Sequence, residues 1–240
     1  MTKEEILDEA IRATQRELGL KDDGDFGPIT TAKAADFDIK FIAVASEKPA
    51  ALKPQPTPGD YFGAPWIGAY VHLLGRDETD KALNDALVPE WAKEGLPQFK
   101  TLAGNDHAWC SVLVNASLRR VGMQTTNSAA ASSWRTYGKS CPYWFGAVLG
   151  LRHLSGGGHV TMFIGWLDEQ KKIAACYGGN QSNKLSVTAY NLSGNASGHE
   201  EVVNGPRWPK AWADGRSISM ADVLLRYPNL KVGGVGGSTT

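Results

Sequence analysis

An α+β fold is expected from three features of this 240-residue chain. Apolar residues recur at helical spacing through the first half, and strand-like runs bounded by turn residues fill the second. Helices come first and strands after them, with no internal repeat, which excludes a repeating βαβ architecture.

The opening stretch, residues 3 to 20, places Ile6, Ala10, Ala13 and Leu18 on one face and Glu4, Glu5, Asp8 and Glu9 in the first turns. That is an amphipathic helix with its acidic residues at the favourable end, stopped at Gly19. A double turn follows at Asp22-Asp23-Gly24-Asp25-Phe26-Gly27-Pro28, then a short helix from Thr30 to Phe37. The acidic turn lacks the ligand spacing of a calcium loop. Residues 46 to 60 carry Pro49, Pro54, Pro56 and Pro58, so a linker is expected there, with a small helical domain at 1–45 before it.

Beyond the linker, Pro65 starts a helix that Gly75 would stop, and Asp77 to Leu87 gives another. The most informative stretch is Asp106-His107-Ala108-Trp109-Cys110, a polar loop running into a helix over 109–121. Val114, Leu118 and Val121 form its apolar stripe, Gly122 ends it, and Asn105 or Asp106 can cap it. A short helix around 129–137 completes this half. Then come strands over His159–Trp166, Lys172–Tyr177 and Lys184–Tyr190, an antiparallel meander turned at 168–170 and 178–183. The main domain is expected over 61–228, and a glycine-rich tail over 229–240 is expected to be disordered.

Charge and composition narrow the function. Twenty-five basic residues balance twenty-five acidic ones, and no basic run is interleaved with aromatics, so nucleic acid is not an expected partner. No apolar run approaches the roughly 18 residues of a membrane span, and the first residues do not form a signal peptide, so membrane insertion is not expected. Three cysteines are too few for a disulfide framework. Synthesis in a bacterial cytoplasm, as a monomer, is the expectation.

Cys110 at a helix start is placed where free N–H groups and the helix dipole favour an anion, so its thiol is expected below the ordinary value of about 8.5. Of the five histidines, His72 lies within a helix, His107 is close in sequence to the cysteine, His153 has no clear strand and His199 sits in a polar loop. His159 opens the strongest strand after Gly156-Gly157-Gly158, and is the expected base. A third polar group would hold the imidazole; Asn180 fills that role at the hairpin turn, with Gln181 the near alternative. Oxyanion stabilisation is expected from the Cys110 N–H and Asn105. Trp66, Trp109, Trp134 and Trp144 are candidates to line a substrate groove. A zinc site made of His159, Cys110 and Cys176 lacks any recognised ligand spacing, so neither metal nor cofactor is expected.

Two resemblances sharpen this picture. Gln15-x-x-Leu18-Gly19 with Asp23-Gly24-x-Phe26-Gly27-Pro28-x-Thr30 resembles the small peptidoglycan-binding domain of cell-wall hydrolases, although Phe37-Asp38 stands where that family has Phe-Gln. Trp109-Cys110 with Val114-Asn115, Ser132-Ser133-Trp134, His159-Val160, Phe163-Ile164-Gly165, Gly178-Gly179-Asn180-Gln181 and Arg207-Trp208-Pro209 is similar to the CHAP and NlpC-like peptidoglycan hydrolases of phages and prophages. The likeness spans about residues 62 to 210, and it departs at Pro142 to Val148, where many relatives begin a strand with Gly-Asp. It implies a papain-like core and a cysteine amidase or endopeptidase, with Cys110 as nucleophile, His159 as base and Asn180 orienting it. An endolysin released to the wall by a holin would fit that implication; an interbacterial effector or a silent wall-binding or phage structural protein are the alternatives.

Overall fold

The computed structural model describes residues 61–104, 108–153, 157–194 and 200–233, all within the unit Lys53–Thr240. The expected helical module at 1–45, the proline-rich linker, Asn105 and the last seven residues lie outside the described residues. What is described is an α+β arrangement of helices and one antiparallel sheet.

The segment 65–74 forms two 3₁₀ turns, Pro65–Ala69 and Val71–Leu73, in place of one α-helix. Helix α1, Lys81–Lys93, begins later than its sequence suggests, because Asp80 is the cap: its carboxylate accepts from the backbone N–H groups of Ala82 and Leu83 at 2.9 and 3.1 Å. The helix also passes through Pro89. That ring is exposed, so the missing N–H faces water, while Leu83, Leu87 and Trp91 at four-residue spacing anchor the buried face.

Helix α2, Cys110–Arg120, is buried without a break from Cys110 to Leu118. It ends as expected at Gly122, whose φ of 74° lets the Met123 N–H return to Leu118 O at 2.9 Å. Burying a polar side chain without a partner is costly, and of this helix's buried polar side chains Ser111 and Asn115 find partners while Ser117 Oγ finds none among the described residues. Ser111 Oγ donates to Ser128 O at 2.6 Å, and Asn115 Nδ2 donates to Glu94 Oε2 at 2.9 Å and Ser128 O at 3.0 Å. At its far end Arg119 forks onto Glu90 and Glu94 at 2.8 and 2.6 Å, tying α2 to α1.

The sheet comprises β1 (Lys139–Ser140), β2 (Val148–His153), β3 (Gly158–Asp168), β4 (Ile173–Gly178), β5 (Ser186–Asn191), β6 (Glu200–Val202) and β7 (Arg207–Trp208). The order is β1-β7-β2-β3-β4-β5, with β6 also paired to β2, and every ladder is antiparallel. The meander read from sequence is thus β3-β4-β5, and β2 extends it on the other side, with Leu151 opposite His159. Helix α2 packs on β3 and β4. A third helix, α3 (Met220–Arg226), is capped by Ser219, whose hydroxyl accepts from the Asp222 N–H, and packs on β3. The domain runs past the expected tail boundary: Leu230 is fully buried and the Gly233 N–H donates to Val187 O at 3.0 Å. No helix among the described residues is long and apolar enough to cross a membrane.

Candidate active site

Two elements meet at the start of α2. Cys110 is its first residue, and the backbone N–H groups of Val160, Ser111 and Cys110 itself face the sulfur. Val160 follows His159 on β3, so the sheet brings the sulfur to the strand one residue from the imidazole. The approach is fixed by Trp109. Its ring packs so closely on Gly179, after β4, that a Cβ there would lie 2.5 Å from Cζ3. Only glycine admits it.

The pair is buried, with Cys110 2% and His159 1% exposed. This corrects the expectation of a low thiol pKa. Burial raises the Cys110 thiol above its ordinary value, and the three backbone N–H groups only partly oppose that. Burial likewise depresses His159 to about 4, with Gln181 opposing and His153 adding to the fall. At rest both the thiol and the imidazole are therefore neutral, and the imidazole is in its base form at neutral pH.

Gln181, rather than Asn180, is the polar side chain that acts on the imidazole, opposing the fall of its pKa. Its orientation is set by its other contacts: Oε1 accepts from Thr161 Oγ1 at 3.0 Å, and Nε2 donates to Ser186 O at 2.8 Å and Ser186 Oγ at 3.1 Å. Those donors and acceptors leave the carbonyl end on the β3 side. Asn180 instead takes the left-handed φ of 57° that the turn requires, and its side chain bonds none of the described residues. The imidazole Nε2 is buried and makes no hydrogen bond of ordinary length and angle. The polar rows Thr161 and Ser186–Thr188 were the available signal for Gln181, since hydroxyls recurring on buried strand positions need a shared partner.

The tryptophans expected in a groove do not line one. Trp66, Trp109 and Trp134 are fully buried; Trp66 Nε1 donates to Gly146 O at 2.8 Å and Trp134 Nε1 to Ser111 Oγ at 2.7 Å. All three indoles pack the core, and those of Trp66 and Trp134 also satisfy buried acceptors. Trp144 is half-buried, edge-on to Trp208. A cavity of about 490 Å³ opens at the other end of α2, beside Met123, Gln124, Tyr137, Pro209 and Lys210, and none of the expected site residues lines it.

The zinc alternative is not assembled. Cys176 pairs with Phe163, four positions along β3 from His159, a separation of roughly 13 Å at about 3.3 Å per residue. Among the described residues no group of three or more His, Cys, Asp or Glu is arranged to hold a metal ion. Compared with protein-family models, characterised proteins and solved structures, the chain gives no significant match.

Proposed function

We propose that this chain is a cysteine amide hydrolase of the bacterial cell wall, of endolysin type, with the papain-like order of nucleophile, base and orienting residue. The observation that carries the reading is the Cys110 sulfur at the backbone of Val160, the residue after His159 on β3, with Gln181 the polar side chain that acts on the imidazole. Cys110 attacks the amide carbonyl while His159, neutral at working pH, takes its proton; the proton then passes to the leaving amine and water releases the acyl group. The N–H groups at the start of α2 are oriented toward charge that develops at the sulfur and the carbonyl oxygen. Gln181 holds the imidazole, a role the sequence alone assigned first to Asn180. Peptidoglycan as substrate rests on the resemblance of residues 62 to 210 to CHAP and NlpC-like enzymes, and the module at 1–45 would bring the enzyme to the wall.

One observation favours a second reading. Both members of the pair are almost wholly buried, as in a fold that keeps its core and binds wall without cutting it. Muropeptides released from purified sacculi, identified by mass spectrometry, decide between the two and name the bond: new amine and carboxyl ends support hydrolysis, and an unchanged digest supports silent binding.

A further inference from the structure

Thr161 holds one hydroxyl proton between two oxygens that can only accept it. Its Oγ1 lies 2.9 Å from Tyr177 O and 3.0 Å from Gln181 Oε1. Thr161 follows His159 by two positions on β3, where the register with β2 is regular, so both side chains leave the same face of the sheet. The fold leaves room for the two oxygens. A Cβ on Gly178 would lie 2.7 Å from Thr161 Oγ1 and 2.7 Å from Gln181 Oε1, so any side chain at 178 would displace them.

The Gln181 amide has one workable orientation. Its Nε2 faces Ser186 O at 2.8 Å and Cys176 O at 3.3 Å, and backbone carbonyls accept but never donate. Ser186 Oγ and Thr188 Oγ1 lie 3.1 and 3.3 Å from the same nitrogen. These contacts keep Oε1 at the Thr161 end whether or not a hydroxyl stands there. Gln181 also favours the protonated imidazole of His159, as an oxygen that accepts from a ring N–H does. Oε1 is thus an acceptor for the hydroxyl and for the ring. Thr161 is fully buried and Gln181 only 2% exposed, so the two donors compete without bulk water between them.

We propose that Thr161 is a positioning residue that acts through Gln181: its hydroxyl holds Oε1 while the ring is neutral and turns to Tyr177 O when the ring is protonated. No bond to hydrogen breaks at Thr161. The O–H rotates about Cβ–Oγ1, and the one proton transferred is the thiol's, to the imidazole. The use of that transfer rests on the hydrolase reading above; the coupling of Thr161, Gln181 and His159 stands without it. The arrangement keeps His159 a neutral base at rest and frees an acceptor for the charged ring in the step that forms it.

The test is an NMR titration of the His159 ring protons, assigned against His159→Gln, in the full native chain, Thr161→Val and Thr161→Ser. Valine keeps the shape and removes the competing donor, so the midpoint should rise from about 4 by about half a pH unit or more, the net worth of one hydrogen bond. Serine keeps the hydroxyl and should stay near the native midpoint. His153 on β2 opposes the ring's charge, Tyr190 on β5 stacks on the ring at 5.7 Å, Cys110 of α2 stands at the Val160 backbone and Cys176 of β4 pairs with Phe163. The comparison alters none of these groups. An unchanged or lowered midpoint in folded Thr161→Val overturns the proposal, and so does a serine variant that behaves like the valine. The native chain gives a measurement that needs no variant at Thr161: the Thr161 methyl and Gln181 side-chain amide resonances should move with the ring's own midpoint, and resonances that stay flat through it overturn the proposal. Wall cleavage is measured separately. The raised midpoint without cleavage removes the hydrolase reading and keeps the coupling, and cleavage without the raised midpoint does the reverse.

Discussion

Trp109 and Gly179 are in such close contact that the ring atoms Cζ3 and Cε3 stand 2.5 and 2.6 Å from where a methyl group on Gly179 would be, with Leu113 Cβ at 3.1 Å. This contact sets the distance between the helix that carries the cysteine and the turn that carries Gln181. Gly179→Ala should destabilise the domain by about 1 to 3 kcal/mol through overpacking, read as a lower midpoint in urea denaturation. Activity at a temperature where the variant remains folded should fall further than stability alone explains, because the displaced ring moves Cys110. A variant as stable as the native chain would show that the contact relaxes freely.

Gln181 and Asn180 separate the two candidate orienting residues. Gln181→Ala should lower kcat by an order of magnitude or more, since the imidazole loses the polar group that favours its charged form and Thr161 loses an acceptor. Asn180→Gly should leave kcat nearly unchanged, because glycine adopts a φ of 57° without strain. Kinetics on a soluble muropeptide check both; the opposite order of losses would return the orienting role to Asn180.

The burial of His159 has a consequence for stability against pH. Its folded pKa of about 4 lies below the unfolded value of about 6.5, so between those values the unfolded chain binds more protons. Stability from this group is fully present above about pH 6.5 and is lost as pH falls toward 4, on the order of 3 kcal/mol in all. Glu94, raised chiefly by burial, acts in the opposite sense over part of that window. The His159 share is therefore read as the difference between the native chain and His159→Gln in urea titrations at several pH values. A difference that does not vary with pH would mean the imidazole is solvated in solution.

Arg119 holds the far end of α2 through Glu90 and Glu94, and the Glu94 side chain is wholly inaccessible. Removing Arg119 leaves that carboxylate with Asn115 Nδ2 as its side-chain donor among the described residues, with Glu90 opposing its charge and Lys93 favouring it. Arg119→Ala should lose about 3 to 5 kcal/mol, the range for breaking a buried pair, while Arg119→Ala with Glu94→Gln should recover part of the loss. Thermal melts of the single and double variants measure it.

The sequence made the helix of Cys110 legible because its signals agree: an apolar stripe through Leu118, a stop at Gly122, and a polar loop before it. The β3-β4-β5 meander was legible for the same reason, with long strand-like runs between clear turns. Strand β2 was not, since Gly150 and Arg152-His153 interrupt its pattern, and glycine is there to admit Arg135. Strands β1, β6 and β7 are two or three residues long, too short to carry a period. Helix α3 did leave a signal in Ser219-Met220-Ala221-Asp222, a cap with an acidic residue three positions on. In the site, Cys110 and His159 stood out by position, but the choice between Asn180 and Gln181 depended on how one turn directs two adjacent side chains. The low-pKa thiol was misjudged because helix position is visible in sequence and burial of a single sulfur is not.

The central claim is that Cys110 is the nucleophile, and turbidity of purified bacterial walls tests it most directly. The native chain should clear the suspension, with and without EDTA, and Cys110→Ser should be slower by orders of magnitude at an unchanged melting temperature, because a hydroxyl replaces a far more acidic thiol. Equal clearing by native chain and Cys110→Ser would contradict the account.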